Sequence, residues 1–322
     1  MALVSASYLL FLAFILLLFY QIEQNKTRLY LLLVASLIFI AQYNLFSVFF
    51  LLLTALLTWQ IGNILSYRKS KFLVWSNILL HIFILFGIKY LDIGKSLITF
   101  DSLYFQTEAI IVALGVSFYT LQNISYLFEI YNNRLKPTKN ISDFLLYQAF
   151  FPKITSGPIE MPKVFLKQLE QKAIPFSWQN FNYGFQRILL GFFKKMVLAD
   201  RLSPIVADVF AQQTQAQGLT LWFGVCLFTI LLYFDFSGYM DIAIGSARLF
   251  GIRLSENFNY PFHTTSVSAF WRTWHITLIQ WLTQYLYYPI VYTYRRKPTS
   301  AVLLAICLLY TSDAADDLWC VV

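Results

Sequence analysis

Eight stretches of this chain are apolar for close to the roughly 20 residues that a helix needs to cross a bilayer. They lie at about 5–21, 29–44, 46–64, 72–91, 107–131, 185–200, 218–236 and 270–293. A chain patterned in this way has little polar surface with which to face water. Only 12% of its 322 residues are charged, against 58% hydrophobic, and the mean hydropathy is +0.60. These features exclude a soluble globule and specify lipid as the main solvent. Peptide groups in lipid must be paired within their own segment, so the runs are read as helices and the fold class as all-α. The first run, Ser5 to Tyr20, follows no basic residue and precedes no small-residue cleavage site, which marks it as a retained span.

The formal charge is +8. In a membrane protein that balance reports topology rather than nucleic-acid binding, because Lys and Arg gather in cytoplasmic loops. Lys26 and Arg28 lie in the first loop, and Arg68, Lys69 and Lys71 in the third. Arg134, Lys136 and Lys139 lie in the fifth. The second loop, Gln42 to Asn44, has no charge, and the fourth sets Lys95 against Asp92 and Asp101. Loops one, three and five are therefore expected in the cytoplasm and the N-terminus outside. Cys226, Cys307 and Cys320 have no CxxC spacing, and the first two lie in apolar runs as small hydrophobes, so neither a disulfide nor a metal site is expected.

Between about Ile141 and Gln171 the chain is only moderately apolar and is broken by Pro152, Gly157, Pro158 and Pro162. A straight span is not expected there; a re-entrant or interfacial segment is, shielded by protein or lining a wet cavity. Ser177 to Lys195 carries Arg187, Lys194 and Lys195 on a Phe-rich background. It reads equally as a helix along the headgroups or as a span end with snorkelling lysines.

The densest polar group in an apolar setting is Tyr233-Phe-Asp-Phe-Ser-Gly-Tyr-Met-Asp241. A carboxylate at the centre of a membrane helix costs roughly 2.5–3.5 kcal/mol on insertion scales, so Asp235 and Asp241 should face protein or water. Gly238 can bend the helix between them, and Ser237 can satisfy the backbone groups so freed. Alternatively, the aspartates cap an interfacial helix start. Next comes Glu256-Asn-Phe-Asn-Tyr-Pro261, a polar and aromatic loop with Asn257 and Asn259 able to donate and accept, and then a helix expected from the N-cap Ser266. That helix opens with Phe270-Trp-Arg-Thr-Trp-His275, and its period would bring His275 beside Trp271 and Arg272. Histidine exchanges protons near neutral pH, so His275 is the first candidate for a general base, against the plainer reading of a hydrogen-bonded structural side chain. His81 has no polar company and His263 lies in the loop after Pro261, so both rank lower. No GxSxG, P-loop, HExxH or paired-cysteine pattern occurs.

From about Gly115 to Ile290 the chain resembles the membrane-bound O-acyltransferase family, and within it the bacterial alginate O-acetylation branch. Four blocks in order carry the resemblance: Ser117 to Tyr126 with Ile130-Tyr131; Phe150-Phe-Pro-Lys-Ile-Thr-Ser-Gly-Pro-Ile159; Tyr233 to Asp241; and Glu256 to Pro261 through Phe270-Trp-Arg and Trp274-His275 to Tyr285-Leu-Tyr-Tyr-Pro289. The resemblance implies a polytopic bundle of about eleven spans in the bacterial inner membrane, with re-entrant or interfacial helices around a central tunnel. It implies no bound cofactor. The co-substrate would be a cytoplasmic acyl thioester, acetyl-CoA or an acyl carrier, and the acceptor a hydroxyl of an exported cell-surface polysaccharide or a periplasmic acyl-transfer partner. His275 matches the upstream of two family histidines. Asn259 or Arg272 would hold the oxyanion, and Asp235, Ser237, Asp241, Asn257, Trp271 and Trp274 would line the tunnel or support it.

The sequence also departs from the family pattern. The second histidine, in a WHG-type motif, has no counterpart after His275. Residues 310–322 do not continue the pattern and read as run-on translation, so the acyltransferase domain is expected over 1–309, incomplete at its C-terminus and inactive by the family mechanism. Ala269, Thr283-Gln284 and Val291-Tyr292 replace an acidic residue, Arg-Asp and a glycine pair common in relatives. The rival readings are D-alanyl transfer to teichoic acid, a proton-relaying transporter, and a noncatalytic scaffold.

Overall fold

The computed structural model describes residues 3–97, 115–170, 175–211 and 218–293. The start of the 107–131 run, most of the fourth loop, Cys307, Cys320 and the 310–322 tail lie outside them. All regular structure among the described residues is helical, as the apolar runs predict. The chain divides into two compact units, the break in sequence falling between Pro175 and Phe176.

The first unit holds α1 (Ala6–Gln21), α2 (Asn25–Ala41), α3 (Leu45–Tyr67), α4 (Lys71–Leu97), α5 (Val116–Tyr131), α6 (Ile141–Ala149) and α7 (Pro162–Leu169). Its starts are capped by side chains: Ser5 Oγ accepts from the Tyr8 amide at 3.1 Å, and Asn44 Oδ1 from the Ser47 amide at 2.6 Å. On α1 only the seam Tyr8, Leu12, Ile15 and Phe19 is buried, while Leu10, Phe14 and Leu17 are exposed. A helix that is apolar all round yet buried on one stripe is one whose other side meets lipid. The 23-residue α3 and, in the second unit, the 32-residue helix Gly218–Leu249 are long and apolar enough to cross a membrane outright.

The proline-broken stretch has the irregular backbone expected of it, and protein shields it. After α6 the chain makes a tight turn through Phe151 to Gly157 and runs extended to Met161, with Phe150, Phe151, Ile154 and Ile159 buried. The freed backbone groups find partners: the Phe151 amide donates to Ser36 Oγ on α2 at 3.0 Å, and Tyr147 Oη donates to the Glu160 carbonyl at 2.8 Å. Lys153 is buried there with its ammonium 4.9 Å from the Tyr147 ring centre and 5.2 Å from that of Phe165. Burial pushes the pKa of that amine down, against the pull of Glu160. A cleft of about 620 Å³ is lined by Gln24 of the first loop, Lys26, which lies in the first turn of α2 rather than in that loop, Asn140 and Asp143 at the start of α6, and Glu170. The first loop and the end of the fifth are thus at the same end of this unit.

The second unit holds α8 (Trp178–Phe192), α9 (Asp200–Ala211), α10 (Gly218–Leu249), α11 (Val267–Trp271), α12 (Ile276–Leu282) and α13 (Tyr288–Thr293). A π-helical turn, Phe193–Ala199, joins α8 to α9, and a second, Thr283–Tyr287, joins α12 to α13. Against expectation, α10 runs unbroken past Gly238, and its aspartates lie well inside it rather than at a helix start. Gly238 is there for contact. A Cβ on Gly191 of α8 would stand 2.6 Å from the Gly238 carbonyl oxygen, and one on Gly245 would stand 2.6 Å from that of Gly184. These two facing glycine pairs, seven residues apart on each helix, let the backbones touch, which is how helices pack where lipid is as apolar as any side chain. Gly191→Ala and Gly245→Ala are expected to cost roughly 1–3 kcal/mol each, the range for overpacking against atoms that cannot swing away. Gly218→Ala, with nothing within 4 Å of the new Cβ, is the neutral comparison. Thermal unfolding in detergent reads the difference.

Candidate functional site

The π-helical turn sets the charges of the site. By inserting one residue it turns Lys194 and Lys195 together toward α10, a device frequent at functional sites. Lys194 Nζ lies 2.7 Å from Asp241, and Arg187 Nε, one helix turn pair earlier on α8, lies 2.5 Å from the same carboxylate. Lys195 pairs with Asp235 and, at 3.2 Å, with Asp200. The other arm of Arg187 holds Glu256, in the loop after α10. Asp241 is 4% exposed at its side chain, so two cations compensate a carboxylate that water scarcely reaches. By sequence pattern the aspartates stand out, but Arg187, Lys194 and Lys195 read only as headgroup or snorkelling cations, and Glu256 has no evident role. The available signal was that two membrane-embedded carboxylates require counter-ions, and this helix carries them.

The chain leaves α10 through a glycine cap. Gly251, at φ +76°, lets the Ile252 amide reach the Ala247 carbonyl at 3.1 Å and its own amide reach that of Arg248 at 2.9 Å. The loop that follows is laced to residues 273–277. The Asn259 amide donates to the Thr273 carbonyl and the Ile276 amide to the Asn257 carbonyl, both at 2.9 Å.

The helix expected from Ser266 does start there, with Ser266 Oγ accepting from the Ala269 amide at 3.2 Å. It ends after one turn, at Trp271, so Trp271 and His275 do not share a helix face. His275 instead sits at the N-cap of α12 in the left-handed region, φ +43° and ψ +51°. A non-glycine residue held there costs of order 1–3 kcal/mol and persists only where its surroundings enforce it. The enforcement is visible. Asn257, fully buried, offers one oxygen, Oδ1, to the Thr277 amide at 3.0 Å, the Thr277 hydroxyl at 2.9 Å and His275 Nδ1 at 3.2 Å. Phe236 of α10 meets the imidazole edge to face at 4.9 Å, and Phe258 meets Trp274 at 5.1 Å. His275 is 5% exposed.

Beside it opens a cavity of about 420 Å³ lined by Arg187, Lys194, Ser237, Asp241, Asn257 and Asn259, among others. Ser237 Oγ and Asn257 Nδ2 are buried with no hydrogen-bond partner among the described residues. The structure thus gathers Ser237, Asp241, Asn257 and Asn259 at one cavity next to His275. It leaves Arg272 exposed at the end of α11, with Trp271 against Phe270 and Trp274 in the ring cluster. His81 is bonded to Thr58 at 2.9 Å in the first unit, and His263 stacks on Tyr260 at 5.9 Å, so neither joins this group.

An all-helical membrane protein, with a strained buried histidine beside a polar cavity, is what fold and site define. Residues 35–309 match the model of the membrane-bound O-acyltransferase family, and the chain belongs to that family. It is 34% identical to the protein named "probable alginate O-acetylase AlgI" of Pseudomonas aeruginosa over 279 residues, 83% of this chain and 53% of that one. It is 32% identical to the peptidoglycan O-acetyltransferase of Helicobacter pylori over 212 residues, covering 58% and 40%. The teichoic acid D-alanyltransferase of Bacillus subtilis is 30% identical over 190 residues, covering 57% and 47%. The chain spans about half the length of these relatives, or less.

Proposed function

We propose that this protein works in membrane O-acyl transfer, moving an acyl group, acetyl in the leading reading, from a cytoplasmic thioester donor to a hydroxyl of an exported cell-surface polysaccharide. The observation that carries the proposal is the buried His275 held by Asn257 next to an open polar cavity. This sequence has no counterpart of the family's second histidine, so the proposal departs from the family mechanism and gives the base's role to His275: the acceptor oxygen bonds to the acyl carbon while its proton passes to that imidazole. The thioester C–S bond breaks, and the departing sulfur takes the proton, leaving an ester and a free thiol. A donor at the cavity steadies the oxyanion between these events. Asn259, which lines the cavity, suits that task better than the exposed Arg272. Asp235, Asp241 and their cations brace the site, and Trp274 packs behind Tyr233 and Phe258, which line it.

The proposal extends to place and extent. The protein would cross the bacterial inner membrane several times around a tunnel, with the N-terminus outside and the basic loops in the cytoplasm. The acyltransferase region would run to about residue 309, where the family match ends. The donor would be acetyl-CoA or an acyl carrier, and the acceptor the polymer itself or a periplasmic partner.

The test is genetic. Deleting the gene is expected to strip O-acetyl esters from the surface polysaccharide, and restoring it to return them. Loss of D-alanyl esters instead would move the assignment to the teichoic acid reading, which the Bacillus subtilis relative supports. Unchanged ester content of both kinds would leave the transporter or scaffold.

A further inference from the structure

We infer that Asn257 dictates the tautomer of His275, holding a proton on Nδ1 and making Nε2 the ring nitrogen that exchanges protons. The assignment begins with a group whose role is not negotiable. The backbone amide of Thr277 can only donate, and it lies 3.0 Å from Asn257 Oδ1, so that atom is the oxygen of the side-chain amide and not its NH₂. The same oxygen stands 3.2 Å from His275 Nδ1. An oxygen that only accepts requires a donor opposite it, and a ring nitrogen donates only when protonated. Nδ1–H is therefore present in the neutral ring and in the imidazolium alike, and the proton that comes and goes is the one on Nε2.

Asn257 can impose this because it is itself held at both ends. Its carbonyl takes the Ile276 amide at 2.9 Å and its side chain the Thr277 amide and hydroxyl, so it caps α12 from the neighbouring loop. Glu256 before it is tied to Arg187, which also grips Asp241 of α10. The side chain is fully buried, so no water competes for Oδ1. The left-handed backbone at His275 aims the ring back at this oxygen, which gives the strain at that residue a purpose. The consequence for catalysis rests on the acyl-transfer reading: the acceptor hydroxyl must approach from the Nε2 side, and Asn257 is a positioning residue.

The test needs no substrate. The whole protein, labelled with ¹⁵N in its three histidine rings and placed in lipid nanodiscs, is examined by two-bond ¹H–¹⁵N correlation. The His275 signals are identified by their loss in His275→Asn. The neutral ring is expected to show a protonated, pyrrole-type Nδ1 and a bare, pyridine-type Nε2 far downfield of it. Asn257→Asp, which keeps the accepting oxygen, should preserve that pattern. Asn257→Leu should lose it in favour of the Nε2–H form that free imidazoles of histidine prefer. A wild-type spectrum with the proton on Nε2, or a pattern untouched by Asn257→Leu, overturns the inference. If Asn257→Leu does not fold, the wild-type and Asn257→Asp spectra still decide it. A protein that shows the expected tautomer but transfers no acyl group would sink the proposed function and leave this assignment standing.

Discussion

His275→Asn is expected to lower the rate of acyl transfer by about 10²–10⁴-fold, the usual contribution of a positioned general base. Asparagine suits the comparison because it tolerates the left-handed backbone of this position better than other residues and can still donate to Asn257 Oδ1. What it lacks is a nitrogen that takes up a proton. The loss should appear in kcat with little change in KM, because the side chain is not expected to carry ground-state binding. Thermal unfolding should move little, since backbone strain and hydrogen bond are both retained. Equal activity in wild type and variant, measured as acyl ester formed per unit of membrane protein, would show that the imidazole is structural.

The second large effect concerns stability. Asp241→Asn is expected to destabilise the protein by about 3 kcal/mol, toward the low end of what breaking a buried ion pair costs. The carboxylate lies almost wholly out of water, and its removal leaves Arg187 and Lys194 side by side without their shared anion, each about a fifth exposed. Asp235→Asn breaks a pair in which both side chains are about a quarter exposed, and should cost less than about 1 kcal/mol. The informative variant is the double one. Arg187→Met with Asp241→Leu removes cation and anion together and replaces them by apolar bulk, so its cost should fall short of the sum of the single changes by 1 kcal/mol or more. Additive losses in detergent unfolding would mean that the two side chains do not act on each other.

Much of this architecture is written in the chain itself, because lipid leaves so few solutions. Apolar runs near bilayer length dictate helices wherever the backbone must pair with itself, and prolines at 152, 158 and 162 announce the stretch where it cannot. The residues of the site were legible too, through their cost. Asp235 and Asp241 have no business in an apolar run unless something answers them, and His275 stands out in a chain with three histidines. What the pattern did not reveal was the partner of each. Periodicity carried the helix on through Trp271 and His275, because helical spacing is the default for an apolar aromatic run. The structure breaks it there, since Asn257, from a loop distant in sequence, supplies the caps that α12 needs and draws His275 into a left-handed turn.

The same division holds at Gly238. A glycine between two aspartates reads as a bend, and only the position of α8 shows it to be a contact surface, facing Gly191 across a distance no side chain would allow. The sequence by itself determined the solvent, the helical class and the identity of the costly polar residues, since each follows from composition and local spacing, and its four motif blocks carried the resemblance to the family. The tertiary structure decided which cation answers which carboxylate, which nitrogen of His275 holds its proton, and where a helix stops. Those are settled by pairings between residues up to dozens of positions apart, and the free energy of such a pairing exists only once the helices have brought the groups within hydrogen-bonding reach.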